Sequence, residues 1–197
     1  MKIVFSCVLL LFVLVHASAQ TEQTGWEEFA PEGGGFSMLF PTKPVETITT
    51  KPNYTMHSFT TTAGRATYVV SYTDYEQIKL APAAFLAANR DRFNKGLQAK
   101  LVSSREITLD GHTGIEFTSE NSAANIRSQL FLIGKRMFQT ASVVFKDTDQ
   151  TREVDRFFSS FKFIKSVAYL TTPSNGLDAL AYRRRGMRPA TYANRPA

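Results

Sequence analysis

The side chains able to do acid–base or ligand chemistry are few. His57 and His112 stand alone in sequence, and the third histidine of the chain, His16, directly follows the first apolar run. Imidazole titrates near neutrality and binds metals readily, but Thr55-Met56-His57-Ser58 has no H-x-x-H or H-E-x-x-H spacing, and His112 has no neighbouring ligand. A catalytic histidine meets its nucleophile and its orienting acid in space; no nucleophile motif accompanies either one, so both are read as structural or surface residues. Asp74 and Glu76 flank Tyr75 near the end of an expected strand and form the closest acid pair there. Their oxygens could begin a divalent-cation site, although two carboxylates are a fragment of one, and a solvated loop is the stronger reading. Glu116 and Arg127 fall in consecutive expected strands, where a cross-strand ion pair would serve register and modest stability. Gripping a ligand would require both to line a cleft. The chain has no G-x-S-x-G elbow, P-loop, dinucleotide fingerprint or EF-hand loop.

The elements that position these residues read as strands with two helices. Trp26 to Ala30 and Phe36 to Phe40 flank the turn Pro31-Glu32-Gly33-Gly34-Gly35 as a hairpin, and Pro41 and Pro44 end its second strand. Residues 54–60 and 66–73 follow as strands. In the latter, Tyr68, Val70 and Tyr72 share one face and Thr67, Val69 and Ser71 the other. Pro82 suits the first turn of a helix running to Lys95 with Leu86, Phe93 and Leu97 on one side. Strands 100–109 and 112–118 are joined by Asp110-Gly111, a hairpin turn, and strands 126–133 and 137–145 by Gly134-Lys135-Arg136. Val154, Phe157, Phe158 and Phe161, at i, i+3, i+4 and i+7, predict an amphipathic helix, with Asp147, Thr148 and Asp149 available to cap it. Adjacent strands interrupted by two helices predict a single α+β domain, an antiparallel β-sheet flanked by helices.

Both ends of the 197-residue chain differ from its middle. Residues 1–19 carry Lys2, an apolar run from Ile3 to Val15 and the small-residue tripeptide Ala17-Ser18-Ala19. These are the three parts of a secretory signal, with cleavage expected between Ala19 and Gln20. The run is shorter than the roughly 20 apolar residues that span a bilayer, so the mature chain is expected to have no transmembrane segment. Cys7, the one cysteine, would leave with the signal, and with it disulfides, thiolate metal sites and cysteine nucleophiles. The formal charge of +6 is concentrated late: residues 166–197 hold Arg183, Arg184, Arg185, Arg188 and Arg195 against Asp178 alone. Residues 20–165 are nearly neutral. The expected layout is a signal at 1–19, a domain at 20–165 and a basic tail at 166–197. Asn53-Tyr54-Thr55 is a glycosylation sequon wherever the host uses that route.

Ordered signatures across residues 26–165 resemble the extracytoplasmic PsbP-like domains, whose α/β/α sandwich is shared with the Ran-binding Mog-type proteins. They are Trp26, Gly35-Phe36-Ser37 and Phe40-Pro41 with Pro44, then Tyr68-x-Val70-x-Tyr72-x-Asp74 and Gly111-x-x-Gly114-x-Glu116. Arg127 with Leu130, Gly134-x-Arg136-x-Phe138-Gln139 and Phe158-x-Ser160-Phe161 complete the series. The resemblance implies an α/β/α sandwich and a non-catalytic module for binding or assembly outside the cytoplasm. It carries over no binding motif, and no feature of the chain points to photosynthesis.

The expectation is therefore a secreted or periplasmic binding module that uses no cofactor or metal and is more readily a non-enzyme than an enzyme. Its partner would be a protein or an anionic envelope component, and export argues against nucleic acid. Arg183, Arg184, Arg185 and Arg188 are the candidate contacts for an anionic surface, at roughly 1 kcal/mol per basic residue close to it. The competing expectation is a small extracytoplasmic hydrolase or cation-dependent enzyme built around Asp74, Glu76 or His112. A cleft with converging ionisable groups would favour it.

Overall fold

The computed structural model describes residues 25–164. Ten strands and two helices follow one another as β1 (Glu27–Phe29), β2 (Phe36–Phe40), β3 (Val45–Lys51), β4 (Tyr54–Ala63), β5 (Ala66–Tyr75), α1 (Pro82–Gly96), β6 (Lys100–Leu109), β7 (His112–Glu120), β8 (Ala124–Ile133), β9 (Arg136–Phe145), α2 (Thr151–Ser160) and β10 (Lys162–Phe163). Alternation of large apolar and small or polar residues makes β4, β5 and β7 to β9 two-faced strands. They pair antiparallel in a seven-stranded sheet of order β3-β4-β5-β9-β8-β7-β6. A second sheet, β1-β2-β10, holds the first and last strands of the described residues side by side.

The small sheet and α2 cover one face of the large sheet. Phe36, Met38 and Phe40 of β2 meet Phe59, Tyr68, Val70 and Phe138 from below, while Phe157, Phe158 and Phe161 close the layer beside them. Phe157, Phe158 and Phe161 are 0%, 5% and 2% exposed, so each contributes roughly 1.5–3 kcal/mol through area removed from water. Ser160 Oγ accepts the Leu39 amide at 2.9 Å and ties α2 to β2. On the opposite face α1 lies over β7 and β8, with Phe85 and Leu86 against Phe117, Leu130 and Met137.

This arrangement corrects the expected class. The α+β reading, an antiparallel sheet flanked by helices in an α/β/α sandwich, gives way to a mostly β protein, with 54% of the described residues in strands and 18% in helices. Most of the cover on the Phe138 face comes from strands. The Trp26 to Phe40 hairpin read as local is the beginning of a separate sheet, completed by β10. The capping expectation also changes. Gln150 occupies the N-cap of α2, and Asp149, one residue earlier, accepts the Thr151 amide at 3.0 Å. No helix among the described residues is long and apolar enough to cross a membrane. With Cys7 as its one cysteine, the chain forms no internal disulfide.

Candidate functional site: a cleft between the two sheets

A cleft of about 630 Å³ opens where the β1–β2 loop and the end of β10 meet the ends of β7, β8 and β9. Two turns shape it. Asp110 and Gly111 take left-handed φ values of 51° and 81°, which turn β6 tightly into β7 and bring Asp110 and His112 to the rim. Gly33 and Gly35, at φ 71° and 73°, curl the opposite wall. A side chain at either glycine would strain that backbone. Ile133, Phe138, Phe163 and Ile164 form the apolar part of the lining.

Arg136 joins the walls. It faces Asp74 directly across the β5/β9 pair and donates Nε to Oδ1 at 2.6 Å and Nη2 to Oδ2 at 2.7 Å. Its Nη1 donates to the Gly33 carbonyl at 2.6 Å and the Gly34 carbonyl at 3.3 Å, which pins the loop to the large sheet. The guanidinium also lies over the Tyr72 ring at 4.5 Å. Tyr72 in turn stacks on His57 at 4.6 Å and 11°, and His57 Nδ1 stands 2.8 Å from Glu46 Oε1. On the rim, His112 packs edge to face on Phe163 at 5.3 Å, and Asp110 Oδ2 accepts the Phe163 amide at 3.3 Å.

The structure sorts the sequence candidates. His112 is in the cleft, but His57 belongs to the stack on β4 and β5. Asp74 is committed to Arg136 and does not pair with Glu76, which is exposed and donates its amide to the Asn53 carbonyl at 3.0 Å. Asn53 itself is exposed in the turn between β3 and β4. Among the described residues no three His, Cys, Asp or Glu side chains converge as metal ligands do. Arg183, Arg184, Arg185, Arg188, Ala19 and Gln20 lie outside the described residues. Sequence reading missed Asp110 and Arg136 as lining groups. The available signal was positional: each borders a hairpin turn, and the two turns lie at one end of the sheet.

Glu116 and Arg127 do form the expected pair, within a larger network. Glu116 is 7% exposed and lies between two guanidinium groups. Arg105 donates Nε and Nη2 to Oε1 at 3.0 and 2.6 Å, and Arg127 donates Nε and Nη2 to Oε2 at 3.1 and 2.8 Å. Gln129 adds a bond to Oε2 at 2.9 Å, and Arg127 also reaches Asp155 on α2 at 2.8 Å while lying over Phe158 at 4.6 Å. Burial alone would raise the carboxyl pKa, but the bonds from Gln129, Arg127 and Arg105 and the Arg127 charge outweigh it and hold it at about 2. The network fastens α2 to β8, so its evident work is structural.

Neither a family model nor a curated relative matches the chain. Among solved structures it is similar to cyanobacterial PsbP (CyanoP) of Synechocystis sp. PCC 6803, with a TM-score of 0.53 at 12% identity over 76% of this chain and 98% of that one. A Pseudomonas aeruginosa protein of unknown function, PA94, aligns over 85% of this chain and 99% of its own at 12% identity, with a TM-score of 0.38. The first likeness supports the PsbP-like part of the expected resemblance and does not extend to its Mog-type part. The fold of the described residues is PsbP-like.

Proposed function

We propose that the chain is a non-catalytic binding or assembly module working outside the cytoplasm. One observation carries this reading: the strongest polar group of the main cleft, Arg136, is engaged in holding Asp74 and the glycine loop. The remaining lining combines His112 and Asp110 with proline, glycine, phenylalanine and isoleucine, and includes no hydroxyl or thiol side chain. Such a surface recognises shape and apolar area, with two polar groups for orientation. The PsbP-like fold is compatible with that role, although fold does not assign a partner.

Residues 1–19 direct export and are removed between Ala19 and Gln20, residues 20–165 form the module, and residues 166–197 supply Arg183, Arg184, Arg185 and Arg188 for an anionic envelope surface. The test is capture of envelope proteins on the exported chain, with parallel variants His112→Ala and Asp110→Asn and a form ending at residue 182. A reproducible protein partner whose capture weakens in the cleft variants supports the module. Turnover of generic ester or phosphoester substrates that disappears in His112→Ala would overturn it in favour of an enzyme. Unchanged salt-sensitive retention on anionic vesicles after truncation would reject the tail's part.

A further inference from the structure

At the opposite end of the large sheet a second cleft of about 450 Å³ lies between the start of α2 and strands β7, β8 and β9. Its size is within the roughly 300–1,000 Å³ of small-molecule sites. Its chemistry differs from that of the main cleft, because ten of its fifteen lining residues carry a hydroxyl, amide or carboxylate group. We infer that this cleft binds a neutral polyhydroxyl ligand of the saccharide class.

Three observations converge. Ser142 lines the cleft, is 1% exposed and shares the face of β8 and β9 that carries Arg127, its register partner. Its hydroxyl makes no hydrogen bond to another described residue. It is not among the enclosed polar atoms that lack a partner, those of Tyr68, Asn94, Ser119 and Thr140, so it reaches the cleft surface, where a ligand oxygen can bond to it. Asn125 stands on the same face near the rim, and its amide is likewise unbonded among the described residues. It offers a donor and an acceptor side by side.

The second observation is the state of the charges. Arg127 is held by Asp155 and Glu116, and Glu120 by Lys146 at 2.8 Å. Asp149 accepts the Thr151 amide. An anionic ligand would meet the carboxylates of Asp149, Asp155 and Glu120, and an organic cation would meet Arg127. A sugar hydroxyl both donates and accepts, so it can bond to either kind of group without adding charge. The third observation is the apolar remainder: Val144 and Val154 give the floor a small nonpolar patch suited to the C–H face of a pyranose ring.

The test is amide chemical-shift mapping on the isotope-labelled full chain with chitotriose, maltotriose and cellotriose. Each is added to about 10 mM, above the millimolar Kd of a ligand held by a few hydrogen bonds. The expected result is saturable movement of the Thr118, Asn125, Ser142 and Thr151 amides with at least one sugar, and affinity reduced roughly five- to tenfold in Ser142→Ala and Asn125→Ala. Both variants only shorten a side chain, so their folding is checked by an unchanged spectrum elsewhere. Absence of movement with all three sugars would overturn the inference. Movement confined to the His112 cleft would do the same, as would binding of inorganic phosphate in place of sugar at Ser142. None of these outcomes bears on the module reading, which rests on the other cleft.

Discussion

Asp74 and Arg136 face each other across β5 and β9, 62 residues apart in sequence, and join through two parallel N–H to oxygen bonds of 2.6 and 2.7 Å. The same guanidinium holds the Gly33 and Gly34 carbonyls. A planar fork can serve a carboxylate and two carbonyls together, whereas an ammonium cannot. Arg136→Lys is expected to speed hydrogen exchange in the β1–β2 loop and to lower stability by about 1–2 kcal/mol. Unchanged exchange there would show that the loop is held by packing alone.

Glu116 gives a pH prediction with a definite sign. Its folded pKa of about 2 lies below the ordinary carboxylate value of 4.5, so its contribution is fully present above about 4.5 and is lost as pH falls toward 2. Glu116→Gln leaves Arg105 and Arg127 without their shared carboxylate and is expected to cost about 2–4 kcal/mol at neutral pH. Urea unfolding of both proteins should show that gap closing with acidification. A gap independent of pH would assign the loss to shape and not to charge.

Gly114 sits where a Cβ would collide with the Leu130 carbonyl and the Phe131 ring. A sheet backbone and a buried ring cannot both yield, so Gly114→Ala is expected to destabilise by roughly 2–4 kcal/mol. Gly96, the last residue of α1, has open space around its Cβ position. There the same substitution should be neutral or stabilising by up to about 1 kcal/mol. Thermal melts of the two variants should separate them clearly.

Tyr68 is wholly buried, and its hydroxyl has no hydrogen-bond partner among the described residues. Removing an unsatisfied hydroxyl recovers its desolvation cost, so Tyr68→Phe is expected to match or exceed the parent by up to about 1 kcal/mol. Burial, with a smaller contribution from Glu153, pushes its pKa up to about 12. The unfolded phenol ionises near 10, so the parent loses stability as pH rises from about 10 to about 12 and the variant lacks that loss. Equal alkaline sensitivity of the two proteins would contradict this.

Legibility in the sequence followed the range of the interaction. The Phe157, Phe158, Phe161 spacing marked α2 because one helix face is a local pattern. The Glu116–Arg127 pair was legible because one hairpin connects its members and sets their register. Asp155 was not, because tertiary packing alone brings α2 to Arg127, whereas Arg105 stands opposite Glu116 in the expected β6–β7 hairpin and was overlooked there. β3 escaped notice because Val45 and Ile48 are 72% and 56% exposed on an outer strand, where burial does not impose alternation. The fold class was misjudged for a related reason. Two-residue β10 carries no sequence period, yet it turns the opening hairpin into a second sheet. Arg136 was read as a turn residue and as part of a family-like signature, whereas it opens β9 and its hold on the Gly33–Gly35 wall depends on strands distant in sequence.

The pairing of Phe36 with Phe163 and of Ser37 with Lys162 has a consequence for the order of assembly. During synthesis β2 leaves the ribosome early with only β1 beside it, and its other edge stays open until β10 appears. The cover over the Phe138 face is therefore completed last, after the large sheet has all its strands. A nascent chain stalled before residue 162 would present the open edge of β2 and part of an aromatic core to chaperones and proteases, so quality control would sense the arrival of two final strand residues.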